Sequence, residues 1–212
     1  EFKYVAGAFY FQEKASEANY QTLTYVLSPE AGVNLAPLQA FNGKIRAQAL
    51  FGQLNYAPGD GRLELTGGLR YTHDQKWLTL AGDVQPNLDG YVAYDNVSWL
   101  ASANYQFRPG LMGYVRVSSG FRAGGINPSA TDINVFKPET IVSYEAGLKA
   151  EWFDRRLRTN LAVFYVDYRD LQISQFLAGT GGATSAIVNA GKVAYRGVEA
   201  EVTAIPVRGL TL

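Results

Sequence analysis

Between residues 141 and 152 the chain reads IVSYEAGLKAEW. Val142, Tyr144, Ala146, Leu148, Ala150 and Trp152 alternate with Ser143, Glu145, Gly147, Lys149 and Glu151. Side chains two apart share a face of a strand, so this stretch has one apolar and one polar face. The same period runs through residues 63–73, 97–107, 111–122 and 198–203. Ordinary strands run ~5–6 residues. Several of these reach the ~9–11 that a tilted strand needs to cross a bilayer. Two segments are less regular. Residues 44–56 change phase near the middle, which fits a bulge or a strand projecting beyond an apolar zone. Residues 157–173 are apolar on both faces for part of their length.

Composition narrows the class. Of 212 residues, 47% are hydrophobic, 13% aromatic and 18% charged, too apolar for a disordered chain. Nineteen Lys and Arg balance nineteen Asp and Glu, so charge gives no support for nucleic-acid binding. There is no cysteine and one histidine, which excludes disulfides, thiolate sites and multi-histidine metal centres. Fourteen Tyr and 22 Gly suit a tyrosine-rich β protein. No run approaches the ~18 apolar residues of a transmembrane helix. The start at Glu1 suits a processed or partial chain.

The punctuation repeats. Short turns are expected at residues 57–62 (APGDGR), 108–110 (RPG), 154–156 (DRR) and 206–209 (PVRG), each followed by a leucine: Leu63, Leu111, Leu157 and Leu210. Aromatics precede the first three: Tyr56, Phe107, and Trp152 with Phe153. Longer Gly/Asn/Asp-rich connections cover residues 14–42, 77–95, 123–138 and 176–185. The leucines recur about every fifty residues, a spacing that also fits a kelch-type propeller blade. A blade packs four short strands into that period, whereas each interval here holds two long strands and a long loop. A soluble β-sandwich needs a polar outer face and gives no reason for aromatics at one end of strand after strand. Short turns on one side, long loops on the other, an apolar face and a polar one describe an antiparallel transmembrane barrel wall. About eight strands are expected, with a ninth starting at Leu210.

Residues 68–72 (GLRYT), 114–127 (YVRVSSGFRAGGIN), 137–149 (KPETIVSYEAGLK), 164–171 (FYVDYRDL) and 189–202 (NAGKVAYRGVEAEV) resemble the barrel of a TonB-dependent outer-membrane transporter. The likeness covers nearly the whole chain, 1–212. It implies an all-β, antiparallel wall of eight to nine strands within a barrel of ~22, open as an isolated sheet. It implies uptake of a scarce, large solute, a ferric siderophore first among them. Its implied partners are the family's N-terminal plug domain, the inner-membrane TonB complex acting through that plug, the solute, and outer-membrane lipid. No cofactor is implied. A plug, a TonB-contacting segment and a closing strand ending in an aromatic are not found in the sequence. The segment is therefore expected to be the middle to late part of a barrel. A passive porin, an outer-membrane adhesin or enzyme, and a soluble β module stay open as alternatives.

The polar faces carry Arg116 and Arg122 on one strand, Glu145, Lys149 and Glu151 on the next, Arg158 beyond a turn, and Glu199 with Glu201 later. These charges could face plug or solute across a lumen, or pair across strands to hold the wall. Trp77, Tyr91 and Tyr94 lie in or beside one long connection, where they could stack on a solute or belong to an interfacial girdle. The two glycines of RAGGIN (122–127) suit positive φ and a sharp strand exit. GTGG (179–182) lacks the lysine of a phosphate loop, and no catalytic triad can be assembled. His73 reads as a rim residue.

Overall fold

The computed structural model describes residues 1–20, 23–28, 31–35, 38–82, 85–128, 133–179, 182–207 and 210–211. Its elements are strands: β1 (Phe2–Tyr20), β2 (Leu23–Ser28), β3 (Ala31–Leu35), β4 (Leu38–Tyr56), β5 (Leu63–Gly82), β6 (Gln85–Arg108), β7 (Leu111–Arg122), β8 (Gly125–Pro128), β9 (Ile133–Phe136), β10 (Glu139–Trp152), β11 (Leu157–Arg169), β12 (Gln172–Gly179), β13 (Gly182–Asn189) and β14 (Val193–Ala204). Eight long strands form one antiparallel sheet in the order β1-β4-β5-β6-β7-β10-β11-β14. The other six pair as hairpins β2–β3, β8–β9 and β12–β13. β1 and β14 are the two edges, so the sheet is an open wall.

The registers turn the alternation into rows. Phe2, Tyr56, Leu65, Ala103, Val115, Ala146, Val163 and Val198 align across all eight strands. The apolar side is the exposed one: Leu50 is 64% exposed, Leu69 63% and Val198 68%. Thr66, Gln53 and Ser102 on the opposite side are half-buried. Among the described residues no large side chain is fully buried, and no second layer covers the apolar face. That removes the sandwich and the propeller, whose apolar faces pack inward. Hydrophobic area left in water costs about 25 cal/mol per Å² relative to burial, so this face is stable only against an apolar medium. Aromatics flank the band at its short-turn end (Phe2 stacked on Tyr56, Tyr105 against Phe107, Trp152) and at its far end (Tyr71, and Tyr144 beside Tyr165).

Several expectations change. The long connections are largely strand. β5 and β6 pair from the short turn to beyond Leu80, so residues 77–82 and 85–95 are strand rather than loop. Residues 14–42, 123–138 and 176–185 likewise contain β2–β3, β8–β9 and β12–β13. Beyond the apolar zone both faces carry apolar side chains, Trp77 and Tyr91 on one and buried Leu78 and Leu80 on the other, so the period disappears while the backbone ladder continues. Residues 44–56 pair in unbroken register with both neighbours, which leaves the projecting strand and removes the bulge. β11 ends at Arg169; Asp170 has φ 54° and Ile173 belongs to β12. Among the described residues Leu210 and Thr211 carry no strand pairing, and the Leu210 amide donates to the Val207 carbonyl. Arg208 and Gly209 of the expected PVRG turn, and Thr180 and Gly181 of GTGG, lie outside the described residues. In the DRR turn, Phe153, Asp154 and Arg155 are consecutively left-handed, at φ 52°, 53° and 68°.

On the polar side aromatic rings lie across glycines of the paired strand. Phe51 covers Gly7, Tyr114 covers Gly147 and Phe164 covers Gly197, each pair directly opposite in register. A Cβ at Gly147 would stand 2.6 Å from the Tyr114 ring and 2.7 Å from the Leu161 carbonyl oxygen. Gly67, on the apolar side, has open space around it. Gly147→Ala is therefore expected to lower stability by about 1–3 kcal/mol through overpacking. Gly67→Ala should be neutral or stabilising by about 0.5–1 kcal/mol. Urea midpoints of the folded barrel in detergent check the pair. Equal effects at the two positions would contradict the ring-over-glycine account.

Candidate functional site

The wall presents two sets of polar groups: charges along its polar face, and a hairpin cluster at the end opposite the short turns. The registers put Arg116, Arg122, Glu145, Lys149, Glu151, Glu199 and Glu201 on one face. Arg116 stands opposite Glu145, Arg122 opposite Glu139, and Glu151 opposite Arg158. Lys149 and Glu201 both flank Asn160, and Glu199 stands opposite Ala162. Some of these simply pair across strands. Glu151 binds Arg158 at 3.3 Å and Arg155 at 3.2 Å, and Asn160 donates to Glu201 at 3.1 Å. Glu145 does not take its register partner. It accepts from the Tyr114 hydroxyl at 2.5 Å, and the Lys149 ammonium sits 5.5 Å from the centre of the same ring. Among the described residues Arg116, Lys149 and Glu199 form no ion pair.

The β8–β9 hairpin lies over the polar side of β5 and β6. Lys76 of β5 donates to the Gly124 carbonyl at 2.7 Å, and the Tyr94 hydroxyl of β6 donates to the Phe136 carbonyl at 3.0 Å. Gly124 and Gly125 are buried, but neither has positive φ, which corrects their expected role in a turn. Their role is close approach. A Cβ at Gly124 would collide with the Phe136 carbonyl and the Tyr94 ring, and one at Gly125 with the Phe136 ring.

Amide side chains tie this hairpin to β12–β13. Asn127, only 6% exposed, donates to the Ile187 carbonyl and accepts from the Ile187 amide, both at 2.8 Å. Asn189 accepts from the Lys137 amide and donates to the carbonyls of Lys137 and Asp170. Gln172 donates to the carbonyls of Ala123 and Lys137 through its side chain, and to Glu139 through its backbone. Glu139 also meets Arg122 at 3.9 Å. None of Asn127, Glu139, Gln172 and Asn189 was singled out in the sequence. Three of them stand inside the strings that carry the family resemblance: RAGGIN, KPE and NAGK.

The three aromatic candidates separate. Trp77 and Tyr91 lie on the apolar side with Leu69 and Tyr71, their rings 5.2 Å apart, and the Lys44 ammonium is 4.8 Å from the Trp77 ring centre. Tyr94 lies on the polar side, under the hairpin. His73 holds Asp95 at 2.8 Å. Among the described residues no group of His, Asp and Glu could hold a metal ion.

Desolvation marks the hairpin's underside. Burial pushes the Asp74 carboxyl above its ordinary range, opposed by Lys76 and His73; its Oδ1 has no hydrogen-bond partner. Burial pulls the Lys76 ammonium down, opposed by Asp74 and aided by Arg122. A carboxyl with a raised folded pKa adds stability that is complete below its unfolded pKa and is lost as pH rises through the folded value. Lys76 has the opposite window: its contribution is complete above the ordinary lysine range and is lost as pH falls through the lowered value. Acidification from neutral toward pH ~4 is therefore expected to slow hydrogen exchange at residues 74–76, after correction for intrinsic rates. Asp74→Asn should abolish that trend. Separately, Asn127→Ala should raise exchange at the Ile187 amide, because it strands a buried donor and acceptor at about 1–3 kcal/mol each. Unchanged exchange would show that the two hairpins hold together without it.

A family model described as TonB dependent receptor-like, beta-barrel, matches residues 2–208. Among solved structures, the ferric yersiniabactin uptake receptor FyuA from Yersinia pestis is 21% identical with a TM-score of 0.77, covering 99% of this chain and 31% of FyuA. The siderophore receptor PiuA from Acinetobacter baumannii is 15% identical with a TM-score of 0.73, covering 98% of this chain and 33% of PiuA. The Serratia marcescens hemophore receptor HasR, solved with its hemophore HasA and heme, is 17% identical with a TM-score of 0.58, covering 94% of this chain and 40% of HasR. At these identities the likeness shows the fold. The chain spans about a third of the length of the first two.

Proposed function

Since the chain belongs to the TonB-dependent receptor-like β-barrel family, a family of outer-membrane receptors and transporters, we propose that it forms wall strands of a receptor importing a ferric siderophore. The apolar face meets outer-membrane lipid, and the polar face lines a lumen that holds the receptor's plug domain. The observation that carries this reading is the β8–β9 hairpin bound over the polar face by Lys76 and Tyr94, which narrows that side at the end away from the short turns. In an antiparallel membrane barrel the short turns are periplasmic, so this end is the extracellular mouth.

In this reading Tyr94 is the aromatic on the solute's side of the wall, where it holds the β8–β9 hairpin in place. Trp77 and Tyr91 belong to the outer girdle, where a ring meets both lipid and headgroup. Arg116, Lys149 and Glu199, free of ion pairs among the described residues, are the charges available to plug or solute. Arg122, Glu145, Glu151 and Glu201 are already engaged by neighbours and mainly hold the wall. The inner-membrane TonB complex supplies the energy by acting on the plug.

The test is growth on defined ferric siderophores under iron limitation. A strain lacking the gene is expected to lose growth on one of them. The full-length gene should restore it only where TonB is present. Restoration without TonB would make the barrel a passive pore and defeat the proposal.

A further inference from the structure

The exposed apolar face is not flat. On the row that runs through Leu65 and Val115, Ala103 and Ala146 are small. On the next row toward the short turns, Gly113 stands between Tyr105 and Leu148. These small residues on β6, β7 and β10 leave a hollow of about 490 Å³, walled by Tyr105, Phe107 and Leu148. The Phe107 ring leans over Gly113, where a Cβ would stand 2.8 Å from it, and meets the Tyr105 ring edge-on at 5.1 Å. One side of the hollow is therefore a fixed aromatic wall. Its volume falls within the ~300–1,000 Å³ of small-molecule sites.

A cation marks the end of the hollow nearest the short turns. Arg108 stands opposite Leu111 at the start of β7, its guanidinium 5.7 Å from the centre of the Trp152 ring. Arg108 is exposed and, among the described residues, has no ion pair. Arg62, in the preceding turn, is paired with Asp60. The neighbouring acid Glu151 lies on the polar face and is held by Arg155 and Arg158. Leu111 shares a face with Gly113 and Val115. At ~3.3 Å per residue these lie about 7 and 13 Å along the strand. A molecule with an anionic head at Arg108 and an apolar tail of that length reaches the floor of the hollow.

We propose that this is a discrete site for one anionic diacyl glycerophospholipid from the leaflet on the short-turn side. One acyl chain fills the hollow over Ala103, Gly113 and Ala146, and the phosphate meets Arg108 beside the Trp152 indole. A flat apolar face would be wetted by any lipid. A hollow and an unbalanced cation at this spacing select a chain and a head together.

The proposal rests on the outer-membrane reading above, and its test separates the two. The full-length protein, checked as a folded barrel by heat-modifiable electrophoretic mobility, is titrated in detergent and read by native mass spectrometry. The probes are dipalmitoyl phosphatidylglycerol, its dihexanoyl counterpart, and dipalmitoyl phosphatidylcholine. Wild type is expected to take one dipalmitoyl phosphatidylglycerol saturably, ahead of the other two. Anionic-surface attraction is worth about fivefold per cation, so R108Q should lose about fivefold in affinity for that lipid, and R108K should keep it. Each acyl methylene kept out of an apolar site costs about fourfold, so A103L/A146L should lose at least tenfold. Ala8→Leu, which adds bulk on the same face of β1, should change nothing. Equal binding by wild type and A103L/A146L overturns the proposal. So does a wild-type dimer that A103L/A146L converts to a monomer, because the hollow then seats a second copy. A protein with no heat-modifiable barrel defeats the outer-membrane reading itself, whereas a folded, transport-competent barrel with no preference among the three lipids defeats this inference alone.

Discussion

Hydrocarbon offers no hydrogen bonds, and this constraint shapes the whole wall. A strand that exposes its side chains to lipid must satisfy every backbone amide and carbonyl on its neighbours. Hence the continuous antiparallel pairing from β1 to β14, with register shifts only near the two ends of β6. Hence also the inverted pattern, with leucine and valine exposed and the polar face half-buried. The wall has almost no core of its own. Its side-chain packing is local and cross-strand, as in the rings of Phe51, Tyr114 and Phe164 laid over paired glycines.

Once the strands leave the apolar zone the constraint relaxes, and a different device takes over. Asn127, Gln172 and Asn189 bind the backbone of neighbouring hairpins, so amide side chains help fix the extramembrane end, where Leu78, Leu80, Phe136 and Ala186 are also buried. An amide carries donors and an acceptor on one short side chain and has no charge to desolvate. It can therefore satisfy a buried backbone pair from one position, as Asn127 does for both groups of Ile187. The Asp74–Lys76 pair shows the contrasting cost, with both charged groups shifted toward neutrality by burial.

The sequence was most informative where one face meets lipid. Residues 63–73, 97–107 and 141–152 show alternation because each row must choose between two media, and the structure follows them. Residues 77–95 lost the alternation and read as loop, although 77–82 and 85–95 belong to paired strands. Apolar residues stand on both faces there, Trp77 and Tyr91 on one and Leu78 and Leu80 on the other, so the side chains do not record the ladder. The charges on the polar face were also legible, since parity alone places Arg116, Glu145, Lys149 and Glu199 together. Their partners were not. Tyr114 takes Glu145 from Arg116, a choice set by side-chain reach rather than by spacing. The split of Trp77 and Tyr91 from Tyr94 was hidden for the same reason as the hairpin. Counting parity through residues 77–94 requires knowing that they remain strand.

The central claim is that one face meets lipid and the other does not. Collision-accessibility spectroscopy with single spin labels measures it directly in the reconstituted protein, and the chain has no cysteine to interfere. Leu69→Cys and Val115→Cys should favour oxygen, which partitions into the bilayer. Thr66→Cys and Ser102→Cys, from the opposite face of the same wall, should favour a water-soluble nickel chelate. Equal accessibility at all four positions, or the reverse order, would contradict the account.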